Sequence, residues 1–441
     1  MKRTRRILAL LLCALMAASL VACKTDDAPE TTEGKDYSEW AGIVQDPKTW
    51  VEEFEKLPIA SADMTTDELR KLCVDAFRAN LTFSWTPNKD ITYTYKLNGK
   101  VADVSLPAGI AYSGMMYGTG LTQVGGTVGT IWKVLPYYDR ETGVVDVEAM
   151  GEKFYACLTS ACSLGALQGW NRVSNSHNIG GMETYNQYDS NIIPVGPYKY
   201  EPYVYSSYFG SKTASNEIIA FNGDKVMYES YAQMLPADGL FSSSSWHVIM
   251  CCSEPVVVKD SKGNIDPLQS YLLVCEQETK GTRNLLDPIL QDNGKYLRTL
   301  GCVDNKYTFS DLIMKGYIPF TLKEFVGQDP VEEGKAWLGK PDAIPNDQDM
   351  TVNELFKKVL CANYAIVNIE VTVKDPEGNV LVTYDPGIAT NQGTYELNLQ
   401  GGYNADKLPP HANGKNTIHI YARLATGELI EAYKTTLKAG S

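Results

Sequence analysis

The chain has 441 residues, with 53 acidic against 40 basic side chains and a formal charge of −13. That balance argues against a nucleic-acid partner, because neutralising phosphates needs clustered Lys and Arg. It also argues against docking on anionic lipid through a basic face.

Lys2, Arg3, Arg5 and Arg6 precede an apolar stretch from Ile7 to Ala22. A basic start before a short terminal apolar segment is the pattern of a signal peptide. The segment ends Leu20-Val21-Ala22-Cys23, which resembles the bacterial lipobox. The resemblance implies lipidation at Cys23 and a membrane anchor of two acyl chains, enough for stable attachment. Lys24 to Lys35 is polar and poor in large apolar residues. It cannot bury enough surface to offset ordering entropy and reads as a tether. Residues 1–23 are thus a leader, and residues 24–63 a tether with an N-terminal extension. Within the extension, Asp36 to Pro58 holds Trp40, Trp50 and Phe54 and is expected to pack as a short helix.

The folded body is expected from residue 64. Thr65 and Glu68 form a capping-box pattern, and Leu69, Leu72, Cys73, Ala76 and Phe77 follow at helical spacing. Ile91 to Val104 alternates around Asn98-Gly99, the signature of a hairpin. Gly118, Gly120, Gly125, Gly126 and Gly129 lack the Gly-Lys-Ser/Thr order of a phosphate loop and read as a surface loop. Val145 to Trp170 is expected to be helical, with Cys162 inside it or at a break. The tyrosines between 183 and 209 (Tyr185, Tyr188, Tyr198, Tyr200, Tyr203, Tyr205, Tyr208) make either a groove wall or a pinned loop. After the serines 242–245, Val248–Cys252, Val256–Lys259 and Tyr271–Gln277 read as strands. From Ala365 onward, short alternating strands with regular turns predict a small all-β sandwich over residues 349–441. The fold class is therefore α+β.

Eight cysteines lie in the body, with the spacing of neither a zinc site nor a dense disulfide scaffold. Most sit in apolar runs and are expected to pack as small hydrophobes. No metal or cofactor is called for. One thiol stands out. Cys162 opens Cys162-Ser163-Leu164-Gly165, and His247 opens Trp246-His247-Val248, in a chain with only four histidines. A thiol nucleophile needs a base, and the base needs an orienting polar group. Glu276 and Gln277, ending the Tyr271 strand, are both placed to be that group. Cys157 is a rival nucleophile and His177 a rival base.

The order of these parts resembles the NlpC-type cell-wall cysteine peptidases and their CHAP-type amidase relatives. In that family a tyrosine segment precedes Cys-Ser on a helix, followed by His-Val on a strand and, in the CHAP branch, Glu-Gln-Asn on the next. Tyr112, Cys162-Ser163, His247-Val248 and Glu276-Gln277 correspond, and Asp238-Gly239 stands where the family often has Gly-Asp. Ala161, Leu164 and Trp246 depart from the usual Asp, Gly and Gly. The resemblance implies a papain-like core over residues 64–348 and catalysis by Cys162, His247 and Glu276 or Gln277, with Tyr112 and the Cys162 N–H at the oxyanion. It further implies a peptidoglycan stem peptide as substrate and a place on the bacterial cell surface. The alternative is a non-catalytic relative that binds wall peptide or a partner protein.

Overall fold

A computed structural model of the chain describes residues 46–97, 100–117, 129–151, 154–175, 192–199, 214–277, 289–290, 296–299, 301–384, 395–399 and 408–439. The leader, Cys23 and the tether lie outside these residues. So do His177, Asn98-Gly99, the glycines 118–126, and every tyrosine of the 183–209 segment except Tyr198.

Helix α1 (Pro47–Glu55) starts at Asp46, whose carboxylate accepts the Thr49 N–H at 3.1 Å, and buries Trp50, Val51 and Phe54. Helix α2 (Thr66–Thr82) carries the expected capping box: Thr65 N–H donates to Glu68 at 2.7 Å and Glu68 N–H to Thr65 at 3.3 Å. Its face of Leu69, Leu72, Cys73, Ala76 and Phe77 is buried. Ile91–Leu97 and Lys100–Leu106 pair as the antiparallel hairpin that their alternation predicts.

The expected helix from Val145 to Trp170 is instead broken. Short helical turns at Val147–Met150 and Phe154–Leu158 lead into a two-residue strand, Thr159–Ser160, which pairs in parallel with Met116–Tyr117. That non-local pairing stops the helix, so Cys162 opens helix α3 (Cys162–Trp170) rather than sitting within one. Helices α4 (Ala214–Asn222) and α5 (Asp224–Tyr231) follow, divided at Gly223, which takes φ +79°.

The site rests on a six-stranded antiparallel sheet. Its strands are β1 (Ile192–Pro194), β2 (Gly239–Ser242), β3 (His247–Cys251), β4 (Tyr271–Glu276), β5 (Cys302–Thr308) and β6 (Ile318–Leu322), in the order β5-β4-β3-β2-β6-β1. Val256–Lys259, expected as a strand, makes isolated bridges to Tyr271 and Ile265 instead. Helices α2 and α3 pack on this sheet, and two glycines set how close they come. A Cβ at Gly169 would meet Cys73 O at 2.5 Å and Met250 Cε at 2.8 Å. One at Gly165 would meet Gln277 Cβ at 3.0 Å and Phe77 Cε2 at 3.1 Å. The spacing of four puts both glycines on one helix face.

Helix α2 is also tied to the β2 turn by a buried ion pair. Arg70 donates to Asp238 at 2.7 Å, to Pro236 O at 2.8 Å and to Thr321 Oγ1 at 3.1 Å, and its guanidinium covers the Phe325 ring. Asp238 also accepts the Leu235 N–H, closing the turn. Burial pushes the Asp238 carboxyl up while the Arg70 charge opposes it. The residue singled out as part of a Gly-Asp-like pair thus ties α2 to the sheet.

Downstream of the site sheet, Met350–Thr351, Ile366–Lys374, Val380–Tyr384, Thr417–Leu424 and Leu429–Lys438 form a five-stranded sheet. A three-stranded sheet of Ala336–Leu338, Val359–Ala362 and Glu396–Asn398 shares one apolar core with it, including Leu338, Leu360, Ile366 and Ile420. Arg172, just after α3, donates to Thr426 O at 2.8 Å and so joins this part to the site helix. The chain is α+β. Among the described residues no helix is long and apolar enough to cross a membrane.

Candidate active site

Cys162 is the first residue of α3 and is 8% exposed. The N–H groups of a first helical turn have no partner within the helix and favour negative charge. The Ser163 N–H, the Val248 N–H and the His247 side chain each favour the charged form of the Cys162 sulfur. The Trp246 carbonyl lies 3.7 Å from the same atom.

His247 opens β3, and Glu276 ends β4 one strand over. His247 Nε2 and Glu276 Oε2 are 2.8 Å apart, so Nδ1 is the nitrogen left for the thiol. Glu276 is wholly buried. A bare carboxylate there would be costly, and it is supplied with donors instead. Tyr307 OH donates to both its oxygens, at 3.2 and 3.3 Å, and Asn305 Nδ2 donates to Oε1. A β-bulge makes this possible. Val274 pairs with Asn305 but Glu276 pairs with Cys302, and Asp304 within the bulge takes φ +53°. Bulges of this kind re-aim side chains next to sites.

The electrostatics follow. Burial pushes the Cys162 thiol up, but the His247 hydrogen bond and charge, with the two backbone N–H groups, outweigh it and hold the thiol below its ordinary range. Burial alone would depress His247; its hydrogen bonds to Cys162 and Glu276 and their charges lift it to about 10. Each group therefore favours the charged form of the other. The buried structural thiols behave oppositely, and burial pushes Cys251 up to about 12.

No family model, curated protein or solved structure matches the chain. The site therefore stands on its own geometry.

Of the residues expected from sequence, the structure brings Cys162, His247 and Glu276 together. Gln277 is not the group facing His247. Its side chain points the other way from Glu276, as the strand alternation requires, and Nε2 donates to Met115 O at 2.6 Å. Tyr112 is wholly buried, its ring 5.0 Å from Trp85, in the same apolar cluster as Cys162. It is walled off from solvent rather than open to an incoming oxyanion. Cys157 is buried in the separate turn Phe154–Leu158, and the imidazole serves Cys162. Asn305 and Tyr307 were not singled out from sequence. Their spacing of two, which puts both side chains on one face of a strand, was the available signal.

Among the described residues no group of three His, Cys, Asp or Glu side chains is placed to hold a metal ion. The eight cysteines from Cys73 to Cys361 are free thiols, and all but Cys302 are buried.

Proposed function

We propose that the chain is a cysteine hydrolase that cleaves an amide bond in peptidoglycan stem peptides, with Cys162 as nucleophile, His247 as acid and base, and Glu276 as the group that orients His247. The observation that carries this is the Cys162–His247–Glu276 relay, with the thiol held low and the imidazole held high. Few structural cysteines have such surroundings, because burial alone raises a thiol.

In the first half-reaction the Cys162 thiolate attacks the amide carbon. The oxygen gains negative charge beside the first-turn N–H groups of α3. His247 then gives its proton to the leaving amine as the C–N bond breaks, leaving a thioester. In the second half-reaction neutral His247 takes a proton from water as the hydroxide adds to the thioester carbon, and the C–S bond then breaks to release the acid and the Cys162 thiolate, with that proton on His247. Glu276 holds the ring through its 2.8 Å contact in both the charged and the neutral form, as the acid of a nucleophile–base–acid triad does. Tyr112 belongs to the apolar core that also includes Cys162 and takes no part in the chemistry.

A helix opening with the nucleophile and an antiparallel sheet carrying base and acid on adjacent strands support a papain-like core of the NlpC or CHAP kind. The two-sheet C-terminal part supports an Ig-like sandwich. The substrate and the lipid anchor at Cys23, with placement on the bacterial surface, rest on the sequence resemblance. The test is digestion of purified peptidoglycan by the wild type and by Cys162→Ala. New fragments carrying free amino and carboxyl ends are expected from the wild type alone. An unchanged wild-type profile would count against hydrolysis and favour a wall-binding relative.

A further inference from the structure

The residue before His247 is in an unusual state. Trp246 takes φ +50°, a left-handed backbone that is uncommon for a bulky residue and that glycine adopts freely. The residue is 41% exposed. A tryptophan here gains neither a relaxed backbone nor full burial, so local stability does not account for it.

The turn that carries it is held from two sides. Ser242, Ser244 and Ser245 hydroxyls all donate to the Lys315 carbonyl, at 2.6, 2.9 and 3.2 Å. Ser243 and Ser215 exchange backbone-to-hydroxyl bonds at 2.9 and 3.0 Å, with their hydroxyls 2.9 Å apart. Even the approach of Lys315 requires a glycine after it, since a Cβ at Gly316 would meet Ser244 Oγ at 2.6 Å. Strained residues persist where the surroundings over-determine them, and they cluster at sites. The serine run is the device that fixes this one.

The location gives the strain a use. The Trp246 carbonyl is 3.7 Å from Cys162 Sγ. Its Cα is therefore within about 6 Å of the sulfur by bond geometry. An exposed indole on a Cα that close to the sulfur is within reach of an acyl group that the thiol carries.

We propose that Trp246 is a specificity-determining residue whose indole packs against an apolar face of the acyl part of the substrate, so that amides with an apolar group next to the scissile carbonyl are preferred. This rests on Cys162 being the nucleophile. An indole face contributes through area and ring packing, which corresponds to roughly tenfold in rate or affinity.

The test uses two alkylating probes with the same leaving group, 2-chloroacetamide and N-benzyl-2-chloroacetamide, each referred to its rate with free cysteine. Cys162 labelling is followed by peptide mass analysis in the wild type, Trp246→Phe and Trp246→Gly. The corrected benzyl preference is expected to be about tenfold in the wild type, largely kept in Trp246→Phe and lost in Trp246→Gly. A wild-type preference equal to that of free cysteine, or one unchanged by Trp246→Gly, would overturn the proposal. If Cys162 labels no faster than the other cysteines with either probe, the nucleophile assignment itself fails, an outcome distinct from loss of the preference alone.

Discussion

His247 Nε2 lies 2.8 Å from Glu276 Oε2, yet the two side chains differ in access: the imidazole keeps a 12% exposed edge while the carboxylate has none. In the proposed hydrolysis the partially open member meets substrate, and the sealed member only holds its partner. Exclusion of water from Glu276 strengthens its pull on the imidazolium, because the local dielectric is low.

The pH dependence of Cys162 reactivity follows from the two shifts. Lowering of the thiol means that thiolate survives below the ordinary thiol range and is lost as pH falls through the lowered value. Raising of His247 means that imidazolium survives up to about 10. Iodoacetamide should therefore label Cys162 ahead of Cys251 and Cys73, whose thiols burial pushes up, and at lower pH than an ordinary thiol. Rates measured residue by residue against pH would show the Cys162 profile displaced to lower pH than the others. A Cys162 profile rising only above pH 8 would contradict the ion pair.

Glu276→Gln keeps the shape and removes the charge. His247 should then titrate lower and Cys162 higher, moving the labelling profile toward higher pH. Hydrolysis should fall by roughly 10²- to 10⁴-fold, the usual scale for acid–base catalysis. Equal labelling profiles for the variant and the wild type would show that the carboxylate does not set the pair.

Tyr307→Phe removes a donor from a buried carboxylate. Hydrogen bonds to charged groups are worth about 1.5–3 kcal/mol, so thermal stability should drop on that scale. As a positioning residue, Tyr307 should also move the pH profile of Cys162 labelling. A loss of stability with an unmoved profile would make its role structural.

Gly169→Ala and Gly165→Ala test how α3 is seated. The first forces a Cβ to 2.5 Å from the rigid Cys73 carbonyl, the second to 3.0 Å from a side-chain carbon. Overpacking typically costs about 1–3 kcal/mol, and Gly169→Ala should lie at or above the upper end. Denaturant midpoints for the two variants should rank in that order.

Part of this site was readable in the chain. Cys162, His247 and Glu276 belong to residue types that are scarce or end apolar runs, and each could be placed at an element's end. Glu276 and Gln277 could not be separated, because a one-residue change in strand phase exchanges their faces. The donors to Glu276 were hidden by the bulge at Asp304, which no local pattern announces. The break before Cys162 depends on Met116 pairing with Thr159, a contact between distant segments. The bonds of the serine run to Lys315 and Ser215 follow only from tertiary structure.

Beyond the adjacent Ser163 N–H, the groups around Cys162 come from positions 246–248 and 276, and their support from 305 and 307. None of them is near it in the chain. Closing such long loops is slow compared with local folding. Until synthesis has passed residue 307 and the sheet has closed, Cys162 is an ordinary weakly acidic thiol. The lowering of the Cys162 thiol is thus produced by folding itself, and an unfinished or extended chain carries only ordinary thiols.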